Sequence, residues 1–431
     1  MSSNFELSNL PFEIANLISK NLDSKSLANC CLVNKHWYAC FISSVWEAPK
    51  VNGLGHLKSL HHSLDNIASI MEEEEKENKE EKKTISFTDS FNHLKMVKYL
   101  DLTTLVDECD SNEDETNENI TFDYSDSQTQ SLFTEFACHC PDLRSLALKV
   151  PSEKNSSKDA PDFFFTLSQF AKSALSLESL TLDFNDMIVY ADHLQESIPI
   201  ECFTKIHTLH LQNAAMVDDS AFEWLWSNCP SLTSVTISQS CNLTDYSLNP
   251  LLRIHGDKIK TIDLERCSRL SVNSLLNIIV SCKKLENLRW VNNGASYNNR
   301  LLSNYSSDFE VKDMAQFMIA LKENCVIDHL KELDYAFLNV TKASIIFDFL
   351  IEKNRESLES IKCDTSKALI NAAQKNILFP HLKEVSYNNK AIVNLKELSK
   401  SIQCIENGCQ NESVATNSNS NIEGKTMSLA A

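Results

Sequence analysis

The chain has 431 residues, of which only 6 are glycine, and its 59 acidic side chains against 40 basic ones give a net charge of −19 at pH 7. The scarcity of glycine disfavours phosphate-cradling loops, dinucleotide fingerprints and nucleophile elbows, which need glycine where the backbone approaches a ligand or takes a positive φ. The negative charge disfavours a nucleic-acid partner, because affinity for phosphates comes largely from clustered lysine and arginine.

The sequence contains no apolar run of membrane-spanning length, and its N-terminus lacks the basic start and apolar stretch of a signal peptide. We therefore expect no membrane partner and a cytoplasmic and/or nuclear location. The 15 cysteines are odd in number and include no CxxC pair, which favours reduced thiols over a disulfide or zinc framework.

Residues 1–50 predict short amphipathic helices and no strand. The first helix opens at Leu10 and Pro11, Asp23 and Ser24 cap the second, and the third ends before Trp46. A segment this short cannot bury all its apolar side chains alone. Either another chain covers them, or the helices simply cap the next domain.

A strand signal then recurs from His93 onward, with aliphatic residues at positions 1, 4 and 6 of a six-residue stretch. From Leu143 the copies start about 28 residues apart, except for one longer interval, which fits a leucine-rich repeat of roughly 20 to 29 residues. Segments between them, such as Ser271 to Cys282, have helical spacing. The predicted fold class is α/β: a helical head followed by a curved solenoid, with parallel strands on the concave side and helices on the convex side. The copies begin at Val97, Leu143, Leu177, Ile206, Leu232, Ile259, Leu285, Leu330, Leu358 and Leu382.

Charged and polar segments interrupt this pattern. We expect a linker at 51–92 with a charged run at 72–83, and a solenoid at 93–400 followed by a disordered tail at 401–431. Within the solenoid, 107–126 is an acidic insertion and 292–307 is an Asn/Ser-rich one.

The sequence motifs for a metal site or a catalytic site are weak. Asp110, Asn112 and Asp114 have calcium-loop spacing, but Glu115 stands where glycine is needed and Thr121 where a bidentate glutamate belongs. No HExxH motif exists, and His207 and His210 would need further ligands from other coils. A Ser-His-Asp triad stays open because triads are recognised by geometry. We expect no metal, no cofactor and no enzymatic activity.

The concave face is the remaining candidate surface, since strand positions 3, 5 and 7 alternate away from the buried aliphatics. Solvent-facing strand residues are polar in any case, so each is either a binding residue or only a solvated one. The candidates for binding a protein substrate are Lys149, Asp183, His210, Gln212, Asp263, Glu265, Arg289, Glu332, Asp334 and Lys362.

The segment from Leu10 to Glu47 resembles an F-box, with a Leu-Pro-x-Glu-Ile opening and a later Leu-Val-x-Lys-x-Trp. The repeats resemble the cysteine-containing leucine-rich repeats of F-box proteins, best at Cys241 to Leu248 and in the Ile262 to Leu275 region. The resemblance implies a substrate receptor of an SCF-type cullin-RING ubiquitin ligase, joined through a Skp-type adaptor to the cullin. Carried onto this sequence, the adaptor-binding residues are Leu10, Pro11, Ile14, Leu32, Val33 and Trp37.

Three hypotheses follow. The favoured one is a non-catalytic substrate receptor that holds a target lysine near a conjugating enzyme. The alternative is an F-box/leucine-rich-repeat interaction scaffold that acts outside ubiquitination. A stand-alone enzyme would require a deep pocket with convergent histidine, aspartate or cysteine groups.

Overall fold

The computed structural model describes residues 11–51, 53, 55–59, 93–105, 124–151, 160–174, 176–293, 311–336, 341–364, 366–375, 377–387 and 390–392. Leu10, the charged run at 72–83, the calcium-type residues from Asp110 to Thr121 and the tail at 401–431 lie outside these residues. Within the described part, no helix has the length and apolar character to cross a bilayer.

The head consists of the helices α1 (Phe12–Ser19), α2 (Ser24–Cys31) and α3 (Lys35–Glu47). Asp23 caps α2 by accepting a hydrogen bond from the Ser26 amide at 2.7 Å. Asn34 caps α3 in the same way, accepting from the Trp37 amide at 2.8 Å. These caps satisfy amides that have no partner within the helix, so each short helix has a defined start.

The solenoid contains one sheet whose strands follow chain order, and β1 to β10 are all parallel. Every predicted repeat copy forms a strand, so the predicted fold class is confirmed. The strand β11, which pairs antiparallel with β10, was not among the predicted strands. The strands are β1 (Tyr99–Asp101), β2 (Ser145–Lys149), β3 (Ser179–Asp183), β4 (Thr208–Gln212), β5 (Ser234–Ser238), β6 (Thr261–Glu265), β7 (Asn287–Val291), β8 (Glu332–Ala336), β9 (Ser360–Cys363), β10 (Glu384–Tyr387) and β11 (Lys390–Ile392).

Helices connect successive strands on the other side of the core. Most strands alternate buried and partly exposed residues, and the buried set is the aliphatic positions 4 and 6 of each repeat. The buried residues form one continuous hydrophobic cluster along the solenoid. Each coil therefore buries its apolar face only against its neighbours. The helices are α4 (Ser127–Cys138), α5 (Ala160–Ser173), α6 (Ala191–Ser197), α7 (Asp219–Asn228), α8 (Asp245–His255), α9 (Val272–Ser281), α10 (Val311–Asn324), α11 (Thr341–Lys353) and α12 (Lys367–Gln374).

Side-chain hydrogen bonds also link one coil to the next. Asp219 of α7 accepts from the Thr244 hydroxyl at 2.8 Å, and Asp245 of α8 accepts from the Ser271 amide at 2.8 Å. In both pairs an aspartate at the start of one helix accepts a hydrogen bond from the N-cap residue of the next helix. These bonds link the start of each helix to the start of the next.

The turns after the strands use positive φ without glycine. Asn213, Gln239, Arg266 and Asn292 each follow the last residue of a strand and have φ between 48° and 56°. This backbone conformation costs an L-residue about 1 to 2 kcal/mol, less for asparagine. The solenoid therefore makes its sharp turns although the chain is poor in glycine.

Residues at the ends of two predicted insertions take part in the packing of the solenoid. Tyr124 of the acidic stretch is buried, its hydroxyl donates to the Lys149 carbonyl at 2.9 Å, and Asp126 caps α4. Asn293 of the Asn/Ser-rich stretch is buried and bonded to two main-chain groups. In the predicted linker, Val51 is likewise buried in the solenoid core.

The head is joined directly to the first coil. The Lys98 amide donates to the Glu47 carbonyl and the Lys98 ammonium to the Glu47 carboxylate, both at 2.9 Å. Trp46 lies inside α3, not after it as expected, and stacks on His93 with ring centroids 5.0 Å apart. Tyr38 adds a hydrogen bond to His93 Nε2 at 2.8 Å. One side of α3 therefore packs against the solenoid, so the head also caps it.

Candidate functional site

The first candidate surface is apolar and belongs to the head. On α1, Ile14, Leu17 and Ile18 share one side through their three- and four-residue spacing, and all three are exposed. Leu32 and Val33, in the turn after α2, are 83% and 59% exposed. We define the apolar head surface as Phe12, Ile14, Leu17, Ile18, Leu32 and Val33.

The head cannot cover this surface itself because its core is small. The core consists of Ala15, Leu27, Cys40 and Phe41, with a few partly buried neighbours. One of these is Trp37, whose ring lies 5.5 Å from that of Phe41. Large exposed apolar side chains gathered in one short domain are typical of an interaction site.

The predicted adaptor-binding residues fall into three groups. Pro11, Ile14, Leu32 and Val33 are exposed. Trp37 is partly buried against the head core, so it also holds the helices together. Leu10 lies outside the described residues. Phe12, which directly follows Pro11 at the start of α1, is a further exposed apolar residue that was not among the predicted ones.

The second candidate surface is the concave face of the sheet. Gln212, Glu332 and Lys362 are exposed there. Partly buried positions on the same face are Lys149, His210, Asp263, Glu265, Arg289 and Asp334. All of these residues lie on the strand side that faces away from the hydrophobic core, in agreement with the alternation of the repeat.

Asp183 differs from the expectation that its carboxylate faces solvent. It is only 7% exposed, and its Oδ1 accepts from the Asn213 amide group at 2.7 Å and from the Asn185 main-chain N–H at 3.1 Å. The turn after β3 uses this carboxylate to hold its own backbone. Asp183 is therefore a structural residue, and the concave candidates are corrected accordingly.

Arg289 occupies the centre of the charged part of this face. Its Nη1 lies 2.9 Å from Asp263 Oδ1 and 2.8 Å from Glu265 Oε2, and its Nε lies 3.1 Å from Asp334 Oδ2. Register explains the arrangement, because Asp263, Arg289 and Asp334 are direct neighbours across β6, β7 and β8. One guanidinium thus bridges the carboxylates of two flanking strands.

Burial and ion pairing act in opposite directions at this cluster. Burial alone would lower the pKa of Arg289, but its hydrogen bonds to Glu265 and Asp263 outweigh burial and raise it. Burial raises the pKa of Asp263, and the hydrogen bond from Arg289 only partly offsets this effect. Arg289 therefore stays charged, while Asp263 is a carboxylate whose charge is incompletely compensated.

A groove of about 320 Å³ runs across β6 to β9 over this cluster. Its floor includes Asp263, Arg289, Glu332, Asp334 and Lys362. Its lining residues all come from β6, β7, β8 and β9 on the concave face.

The histidines that raised the question of a metal site do not form one. His207 is exposed and His210 is partly buried. Burial lowers the pKa of His210. In the part of the chain that the structure describes, no group of three or more histidine, cysteine, aspartate or glutamate side chains is placed to hold a metal ion.

Comparison with known proteins identifies the head. The F-box domain family matches residues 7–45, which confirms the resemblance of the segment from Leu10 to Glu47. No curated protein matches the chain. Among solved structures, a chain of the Rad7 and Elc1 complex in yeast is 16% identical over 70% of this chain and 73% of that one, with a TM-score of 0.37. The assignment of the solenoid rests on the strand order and register described above.

Proposed function

We propose that this chain, which carries an F-box domain in front of a leucine-rich-repeat-like solenoid, is a non-catalytic substrate receptor of an SCF-type ubiquitin ligase. The F-box domain binds a Skp-type adaptor and, through it, the cullin. The concave face of the solenoid binds the substrate protein. The chain itself contributes proximity, because holding two reactants together replaces an encounter between separate molecules. Its place of action is the cytoplasm and/or the nucleus.

The exposure of Leu32 supports the adaptor role most strongly. A leucine that is 83% exposed, next to a valine that is 59% exposed, lies within the segment that the F-box family matches. Burying a leucine side chain is worth about 1.5 to 3 kcal/mol. An adaptor that covers the apolar head surface would gain this free energy from several side chains together.

The test is co-purification with a Skp-type adaptor after co-expression. The variant is Leu32→Ser with Val33→Ser, since both side chains are exposed and their loss leaves the head core intact. Trp37→Ala is less suitable because it also removes packing against Phe41. Replacing two side chains at the centre of a small apolar interface is expected to lower adaptor recovery at least about tenfold.

The matched control is Leu378→Ser, which removes another leucine that is 79% exposed but lies on the solenoid. Its adaptor recovery should equal that of the wild type, and all variants should share one melting temperature. Undiminished adaptor recovery with the double variant would refute the docking assignment.

The alternative, an interaction scaffold outside ubiquitination, predicts the same adaptor binding. The two functions separate when the full chain, its adaptor and the ligase core are combined with co-purified partner proteins. A substrate receptor yields ubiquitinated partners, and the Leu32→Ser, Val33→Ser variant does not. A scaffold holds the same partners without modifying them.

A further inference from the structure

We infer that the groove across β6 to β9 binds a lysine- or arginine-rich extended segment of the partner protein. This inference rests on the proposed function, because it names the chemical class of substrate segment that the concave face takes. It is carried by an imbalance of charge within the groove, by free carboxylate oxygens on the groove floor and by the dimensions of the groove.

The groove and its rim carry more carboxylates than cations. The carboxylates are Asp263, Glu265, Glu332, Asp334 and Glu384, and the cations are Arg289, Lys362 and Arg266, which lies 3.6 Å from Glu265. Two negative charges are thus left uncompensated when all groups are ionised. Arg289 is already shared among three carboxylates, and Lys362 lies 3.5 Å from Glu384.

The row of charged residues just before the strands shows the opposite situation. Glu286 lies 3.5 Å from Lys260 and 2.6 Å from Lys331, and Glu359 pairs with Lys383. Every one of these carboxylates has its own lysine. The excess of negative charge is therefore a local property of the groove and does not simply reflect the acidity of the chain.

Carboxylate oxygens in the groove remain available to a ligand. Asp263 uses only Oδ1 and Asp334 only Oδ2 in their bonds to Arg289. The second oxygen of each has no hydrogen-bond partner among the described residues, and Glu332 is exposed without an ion pair there. An incoming ammonium or guanidinium can therefore bind these oxygens without displacing Arg289.

The dimensions favour a peptide over a single ion. Strands lie about 4.8 Å apart, so β6 to β9 span roughly 14 Å, the length of about four extended residues. The described part of the chain shows no group placed to ligate a metal ion. A segment with basic side chains at alternate positions would direct its charges toward Asp263 and toward Glu332 and Asp334.

The test uses the full chain and a short fluorescein-labelled peptide of alternating lysine and serine, with a glutamate and serine peptide of the same length as the comparison. Binding is followed by fluorescence anisotropy at low and at moderate ionic strength. We expect the lysine peptide to bind and salt to weaken it. The variant Glu332→Gln with Asp334→Asn should weaken it about tenfold. Lys362→Glu should strengthen it.

The matched control is Asp110→Asn with Asp114→Asn, which removes the same charge from the other acidic stretch of the sequence. Its affinity for the lysine peptide should equal that of the wild type. The inference is overturned if the groove variant keeps wild-type affinity, if the control loses as much as the groove variant, or if the glutamate peptide binds as well as the lysine peptide. Glu332→Gln alone changes an exposed side chain without an ion pair among the described residues, so it keeps the test valid if the double variant misfolds.

Adaptor recovery measured on the same preparations separates the two proposals. If the groove variant binds the lysine peptide like the wild type while adaptor binding is intact, only the groove assignment fails. If the wild type itself does not hold the adaptor, the proposed function fails, whatever the peptide does.

Discussion

His255 Nε2 donates a hydrogen bond to the main-chain carbonyl of Trp226 across 2.7 Å, and both residues are fully buried. A carbonyl only accepts, so the imidazole proton is on Nε2. Nδ1 is buried and has no hydrogen-bond partner in the part of the chain that the structure describes. The Trp226 indole in turn donates a hydrogen bond to the Ser247 carbonyl at 3.0 Å. These two hydrogen bonds link α7 to α8.

We therefore predict that acid weakens the solenoid through His255. Burial lowers the pKa of His255, and Lys258 adds to this effect, whereas the bond to Trp226 and the charge of Asp257 act against it. A lowered folded-state pKa means that the unfolded chain binds more protons. The stability that neutral His255 contributes is fully present above its unfolded-state pKa of about 6.5. It is lost as the pH falls through the lower folded-state pKa.

Urea unfolding midpoints between neutral and mildly acidic pH would measure this dependence. His255→Gln, which cannot take up a proton, should show a shallower loss of stability on acidification. His207→Gln changes an exposed imidazole and should behave as the wild type does. Equal slopes for His255→Gln and the wild type would exclude His255 as the source.

Asn293→Ala should destabilise the solenoid by about 2 to 6 kcal/mol. Asn293 is buried, its Oδ1 accepts from the Cys267 amide at 2.8 Å, and its Nδ2 donates to the Leu264 carbonyl at 2.7 Å. Alanine leaves both main-chain groups buried without a partner, at about 1 to 3 kcal/mol each. Asn249→Ala, which removes only an exposed bond to Asn277, is the control for chemical unfolding. A loss no larger than that of the control would contradict the prediction.

Gly256→Ala should destabilise the chain by about 1 to 3 kcal/mol because no space exists for a methyl group. A Cβ at Gly256 would contact the Leu252 carbonyl oxygen and lie 2.9 Å from that of Ser281. These are main-chain atoms near the ends of α8 and α9, so they cannot move away by a change of side-chain rotamer. Gly55→Ala meets nothing within 4 Å and should be neutral or slightly stabilising. Thermal unfolding of both variants side by side is the measurement.

Buried cysteines should resist alkylation in the native chain. Burial raises the pKa of Cys140, Cys229, Cys282 and Cys363 to about 12, so little reactive thiolate forms near neutral pH. Cys138 and Cys241 are exposed and should react with iodoacetamide first. Peptide mass spectrometry over a time course resolves the order. Equal labelling of Cys229 and Cys241 under native conditions would contradict this prediction.

The repeat could be predicted from the sequence because it is local. Aliphatic residues at positions 1, 4 and 6 place one side of each strand in the core, and even the irregular copies with Tyr335 and Cys363 bury these side chains. The apolar side of α1 could be predicted for the same reason. The resemblance to an F-box indicated which kind of protein binds the head, whereas the spacing of apolar residues does not indicate this.

Relationships between distant residues could not be predicted in this way. Arg289 meets Asp334 only because β7 and β8 are neighbours, and a long interval of sequence separates them. The burial of Asp183 depends on Asn213 in the next coil. Trp46 lies within α3 and stacks on His93, a residue that follows the predicted linker. In each case the partner lies in another coil or domain, where periodicity carries no information.

The junction between Glu47 and Lys98 has a mechanical consequence. Main-chain and side-chain bonds at 2.9 Å join the end of α3 to the residue that precedes β1, and Trp46 stacks on His93 beside them. A protein bound to α1 and α2 would therefore also fix the orientation of β1 relative to itself. Because these contacts attach α3 to the first coil, a protein bound at α1 and α2 would be held close to the start of the sheet.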